Sequence, residues 1–148
     1  MKTHVIALVC LFWALPCHAV EVGDRQVVID TLIGEAVGEG VEGMQAVAEV
    51  LRNRAEASAG RTMSQEALRP KQFSFWNDGG RAEGFLEANR SSNSILEAQE
   101  ALLAALGGSR MVGEARHYYN PALAAPGWAS GASGVYRVGN HVFLEGVK

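Results

Sequence analysis

Two apolar patterns of helical period, and the point where they stop, constrain this chain most. Met44, Val47, Ala48 and Leu51 fall at offsets of 0, 3, 4 and 7, the spacing of one buried helix face. Ile95, Ala98, Leu102, Leu103 and Leu106 repeat the theme and are expected to share a second face. Ser94-Ile95-Leu96-Glu97 reads as a capping box that opens this helix, and Gly107-Gly108 as its stop. Asp24 stands where it can cap an earlier helix through Val27, Val28, Leu32 and Ile33, which the glycines at 34, 38, 40 and 43 then interrupt. Thr62-Met63-Ser64-Gln65 matches a capping box for a short helix ending before Pro70, and residues 71 to 93 read as irregular loop. Beyond Gly108 the chain turns to aromatics, Gly, Pro and Ser. There Val135–Val138 and His141–Leu144 flank Gly139-Asn140, as the two strands of a hairpin flank a tight turn. The expected fold is mainly α with a small β-hairpin.

The 148 residues suit one domain with a core of its own. Met1-Lys2 is a short positive start, Val5 to Leu15 is an unbroken apolar run, and Ala19 is a small residue after it. This is the pattern of a secretory signal peptide cleaved after Ala19. The run is shorter than the roughly 20 residues a spanning helix needs. Residues 1–19 are therefore expected to be an export signal, or an N-terminal anchor if retained, and 20–148 the working domain. Both cysteines, Cys10 and Cys17, lie in the first segment. The remainder has no thiolate, disulfide or cysteine metal site to offer. A net charge of −3 with no basic run speaks against nucleic-acid binding. A monomer is expected.

Three segments hold candidate chemistry. In Ile33-Gly34-Glu35-Ala36-Val37-Gly38-Glu39-Gly40, a carboxylate ends an apolar helix face where glycines break the backbone and allow close approach. Shielded by Leu32 and Ile33, Glu35 would have a raised pKa and could protonate a leaving oxygen, the step that glycosidic cleavage needs. The plainer alternative is that Glu35 and Glu39 are solvated helix-end charges. Gln72-Phe73-Ser74-Phe75-Trp76 sets rings beside amides and hydroxyls, a mixture suited to sugars, or simply pins a loop to the core. His117-Tyr118-Tyr119-Asn120 and Gly139-Asn140-His141 hold the only histidines beyond residue 19. Those two are not spaced as a zinc pair on a helix, so hydrogen-bonding roles near a cleft are expected of them. No G-x-S-x-G elbow and no GK[ST] phosphate loop occurs. No metal or cofactor is expected.

Taken in order, IGEAVGEGVEGMQAVAEVLRNR (33–54), KQFSFW (71–76), ARHYYNP (115–121), PGWA (126–129) and VGNHVFL (138–144) resemble the SleB-type cell-wall hydrolase family, spore cortex-lytic enzymes and their relatives. The resemblance implies a lysozyme-like α+β domain acting on peptidoglycan, and the N-terminal signal pattern sends it to the periplasm, cell wall or medium. It implies cleavage between N-acetylmuramic acid and N-acetylglucosamine by lytic transglycosylation, leaving 1,6-anhydromuramic ends. Glu35 falls on the family's catalytic acid/base and Glu39 on a supporting position. Ser74, Tyr118, Tyr119 and His141 fall where cleft-lining residues are expected. Gln72, Phe73, His117, Asn120 and Trp128, from the same segments, complete the candidate substrate-binding set. Val37 departs from the Arg common in the family, and 77–93 does not align. The alternatives are a hydrolytic muramidase, with Glu39 or Asp78 activating water about 6.5–9.5 Å from Glu35, a non-catalytic wall-binding module, and a metal-dependent amidase in which His117 and His141 share an ion.

Overall fold

The computed structural model describes residues 20–77 and 81–147. Residues 1–19, expected to be an export signal, and Asp78 lie outside the described residues. Among the described residues, six α-helices precede a small sheet: α1 (Arg25–Ala36), α2 (Gly40–Ala57), α3 (Met63–Ala67), α4 (Ser74–Asn77), α5 (Arg81–Asn89) and α6 (Ser92–Leu106). The strands are β1 (His117–Tyr119), β2 (Gly134–Val138) and β3 (His141–Glu145). The fold is mainly helical α+β.

The Asp24 carboxylate accepts the N–H groups of Gln26 and Val27 and so starts α1. Val28, Leu32 and Ile33 are fully buried. The glycines act differently from expectation. Gly34 lies inside α1, where a Cβ would overlap the Phe75 ring, so its bareness is what lets α4 pack there. Gly43 lies inside α2 and makes room for the Glu39 side chain. The actual break is a single 3-10 turn, Val37–Glu39, followed by Gly40 at φ +66°, a conformation that favours glycine.

Helix α2 runs through the middle of the core, with Met44, Val47, Ala48 and Leu51 fully buried. It also buries a polar row. Glu49 accepts the N–H of Val112 at 3.0 Å. Arg52 donates to the carbonyls of Ala105 and Ser109, both at 2.6 Å. Asn53 donates to those of Gly113 and Ala115, both at 2.9 Å. These bonds satisfy backbone groups at the end of α6 and in the α6–β1 connection that would be costly to bury unpaired.

Helix α6 begins three residues earlier than the sequence pattern suggests. Ser91 is the cap, and Ser94 is the third helical residue that returns the bond. Ala98, Ala101, Leu102 and Ala105 form its buried stripe, whereas Leu103 is 59 % exposed and Leu106 also faces out. Alanines at three of four stripe positions let α6 lie close against α2, so the leucines are not needed there. The 71–93 segment is not a loop: it holds α4 and α5, with the Phe75 and Phe85 rings in edge contact 6.0 Å apart. Thr62 caps α3 with a reciprocal bond from Gln65, as its sequence predicts.

In the sheet, β3 is central and antiparallel to both neighbours. Val138 faces His141 across the two-residue turn, with Gly139 at φ +55°. β1 adds a third strand that the sequence pattern does not announce. No helix among the described residues is long and apolar enough to cross a membrane.

Candidate active site

Glu35 sits in the last turn of α1, just before the 3-10 break, and its carboxylate is held from two directions. From α4, the Phe75 N–H donates to Oε1 at 3.0 Å, and the Ser74 hydroxyl approaches the same oxygen at 3.5 Å. From β1, the Tyr118 hydroxyl donates to Oε2 at 2.7 Å. Burial, then the adjacent Glu35 carboxylate, push the Tyr118 hydroxyl well above its ordinary range. Tyr118 therefore keeps its proton at neutral pH and donates it to Glu35 in a hydrogen bond.

Tyr118 is placed by the sheet. Its ring stacks on Phe143 at 5.2 Å and meets His141 edge-on at 5.3 Å. The period of two puts Tyr118, Phe143 and His141 on one face and His117 on the other. His141 Nδ1 lies 2.9 Å from Glu39 Oε1, and Glu39 Oε2 accepts the Asn140 N–H at 3.2 Å. A Cβ at Gly139 would overlap that carboxylate, so this hairpin tip requires glycine twice, for its φ and for the close approach. Glu39 thus ties the hairpin to the 3-10 turn beside Glu35.

Glu35 opens into a cleft of about 640 Å³. Of the sequence candidates, Gln72, Ser74, Tyr118, Tyr119, Asn120 and His141 line it with Glu35. The others do not. Phe73 is 1 % exposed and belongs to the core, where it packs 6.3 Å from the Tyr118 ring, because the turn into α4 points it inward. Glu39 is occupied by the hairpin tip. His117 faces a neighbouring cavity. Trp128 lies outside the cleft, between the rings of His117 at 5.6 Å and Tyr119 at 5.9 Å. The two histidines occupy opposite sheet faces, and among the described residues no three His, Asp or Glu side chains converge as a metal site.

Arg54 is a cleft residue that sequence reasoning missed. Its guanidinium lies 5.0 Å from the Phe73 ring centre, and Nε donates to the Arg116 carbonyl at 2.7 Å. The only cue was a cation ending the buried face of α2. Lys71, Asn77, Leu123 and Ala124 also line the cleft.

A family model described as Cell Wall Hydrolase matches residues 38–144. That span starts just after Glu35. Over 123 residues the chain is 34% identical to the spore cortex-lytic enzyme of Oceanobacillus iheyensis, covering 82% of this chain and 41% of that protein. It is 30% identical to the spore cortex-lytic enzyme of Bacillus subtilis, covering 82% of this chain and 37% of that one. The chain thus spans about two-fifths of the length of these relatives. Among solved structures, the catalytic domain of Bacillus cereus SleB superposes with a TM-score of 0.62 at 28% identity, covering 86% of this chain and 97% of that domain. The catalytic domain of the germination-specific lytic transglycosylase SleB from Bacillus anthracis gives 0.61 at 28% identity, covering 81% and 92%. The lysozyme-like helical fold, the cleft it encloses and a family match across most of its length place this chain in the cell wall hydrolase family.

Proposed function

We propose that this chain cuts peptidoglycan glycan strands between N-acetylmuramic acid and N-acetylglucosamine, as a lytic transglycosylase with Glu35 as acid and then base. The observation that carries this reading is a single carboxylate in the cleft. Glu35 is the only acidic side chain lining it among the described residues. A hydrolase of the two-carboxylate kind needs a second one to activate water, and ring closure does not. Glu39, one candidate for that second group, is engaged with His141 and Asn140 instead.

Protonated Glu35 donates its proton to the glycosidic oxygen as the C1–O bond breaks. The resulting carboxylate then takes the proton of the muramic acid 6-hydroxyl while O6 bonds to C1. The 1,6-anhydro ring closes, Glu35 regains its proton, and no water is consumed. Tyr118 occupies one lone pair of Oε2 and leaves the other for the travelling proton. The Phe75 N–H fixes the opposite oxygen, so the carboxyl group cannot swing away from the sugar. Gln72, Ser74 and Asn120 are polar groups for sugar hydroxyls and acetamides, and Tyr119 offers a ring. Glu39 and His141 act through Tyr118, as positioning residues. This chemistry calls on no cofactor. Residues 20–148 form the catalytic domain in this reading, and 1–19 direct it out of the cell.

The test is mass spectrometry of fragments released from purified peptidoglycan by the wild type and by Glu35→Gln. Anhydro-muramic products from the wild type alone support the proposal. Products one water heavier would mean hydrolysis, and Asp78 would then be the residue to examine. Absence of glycan cleavage by the wild type would leave a binding module.

A further inference from the structure

Beside the Glu35 cleft lies a second cavity of about 320 Å³ with an unusual charge. Arg54, Arg61, Arg69 and Arg116 line it, against Glu66 as the only acidic side chain lining it among the described residues. The whole chain carries a net charge of −3, so four guanidinium groups around one carboxylate are a local reversal and not a reflection of composition. Glu66 is buried and already shared. It accepts from Arg61 Nε at 2.6 Å and from Arg69 Nη1 at 2.9 Å. Arg54 and Arg116 have no carboxylate partner among the described residues, and Arg54 Nη1 is buried with no hydrogen bond. Cations held this close repel one another unless an anion joins them. His117 on the cavity wall reports the same field: burial, then Arg54 and Arg116, hold its pKa below the ordinary value.

Resting on the glycan-cleaving reading, we infer that this cavity binds a carboxylate on the peptide stem carried by the glycan strand in the cleft. Arg54 and Gln72 line both spaces, so a strand seated at Glu35 has the cavity beside it. Where a muramic acid carries a peptide its lactyl carboxyl is consumed as an amide, so the free carboxylates of a peptide-bearing strand lie on the peptides. Planar guanidinium forks match a carboxylate with paired, charge-assisted hydrogen bonds. The cavity thereby selects peptide-bearing strands, while Glu35 performs the cut.

The test compares soluble peptide-bearing glycan fragments with the same fragments after their carboxylates are converted to amides. Wild type and the double variant Arg69→Gln/Arg116→Gln are assayed on both. Both substituted side chains are exposed, Arg61 remains on Glu66, and neither residue lines the Glu35 cleft. The wild type is expected to show KM about tenfold higher on the amidated fragments, with kcat unchanged. The double variant is expected to show the higher KM on both substrates and to be indifferent to amidation. Equal wild-type KM on the two substrates overturns the inference, as does a variant whose KM rises over that of the wild type by the same factor on both substrates and so keeps the roughly tenfold difference between them. A wild type that cuts neither overturns the glycan-cleaving reading itself, a result distinct from cleavage without carboxylate preference.

Discussion

Glu35 is held between a helical side and a sheet side, and the two are built differently. On the helical side, α1, α2 and α6 meet through fully buried apolar residues such as Leu32, Val47 and Leu102. On the sheet side, β3 buries Val142, Phe143 and Leu144, but His117, Tyr118, Tyr119 and His141 are only half-buried, and rings and hydrogen bonds orient them. Apolar burial is non-directional and supplies stability, whereas hydrogen bonds and ring contacts fix direction. The helical side therefore keeps the domain folded, and the sheet side aims one hydroxyl at one carboxylate.

Four substitutions probe this division. Glu35→Gln, at the junction, should lower turnover by about 10²–10⁴-fold or more while leaving the thermal midpoint near wild type. A variant with near-normal activity would end the role given to Glu35. Leu102→Ala should cost roughly 2–5 kcal/mol of stability in a denaturant titration, with turnover per folded molecule preserved. Loss of turnover without loss of stability would reverse the roles assigned to the two sides. Tyr118→Phe keeps the ring stack on Phe143 and removes only the donor to Glu35. Stability should change by about 1 kcal/mol, while kcat falls by more than that energy accounts for. A fall in the thermal midpoint with kcat intact would make Tyr118 a structural residue.

The smallest effect concerns pH. Burial works to raise the Glu66 carboxyl, but hydrogen bonds and charge from Arg61 and Arg69 outweigh it and hold it below its ordinary 4.5. A depressed carboxylate stabilises the fold above its unfolded pKa, and this contribution is lost as pH falls from about 4.5 through the lower folded value. Glu66→Gln should therefore be less stable than wild type at pH 7, with the gap narrowing on acidification below pH 4.5. A gap that stays constant with pH would show that packing at Glu66, not its charge, is what matters.

Legibility followed the range of the interactions. Asp24, Thr62 and the Gly139-Asn140 turn act within a few residues of themselves, and their sequence patterns matched the structure. The buried face of α2 follows from its period alone. The cap of α6 was misplaced because Ser91 and Ser94 are both serines, and either can open a helix there. The α4–α5 region was unreadable because four- and nine-residue helices carry too few periods. Phe73 and Phe75 stand two residues apart with the same side chain, and only packing decides that Phe73 fills the core while Phe75 meets Gly34. Glu39 and Glu35 share one motif, and only the hairpin tip separates their fates.

The sequence by itself determined the helical class, the hairpin, the break after α1 and the residue types a glycan-cutting site would use. These rest on local hydrogen bonding and hydrophobic period, which neighbouring residues suffice to specify. The tertiary structure alone decided that Glu35 would receive the N–H of Phe75 from 40 residues away and the hydroxyl of Tyr118 from 83. It alone decided that Glu39 would face the hairpin and that four arginines would share one cavity. Those meetings depend on how α1, α4 and the sheet pack around the core, and no short stretch of the chain contains that information.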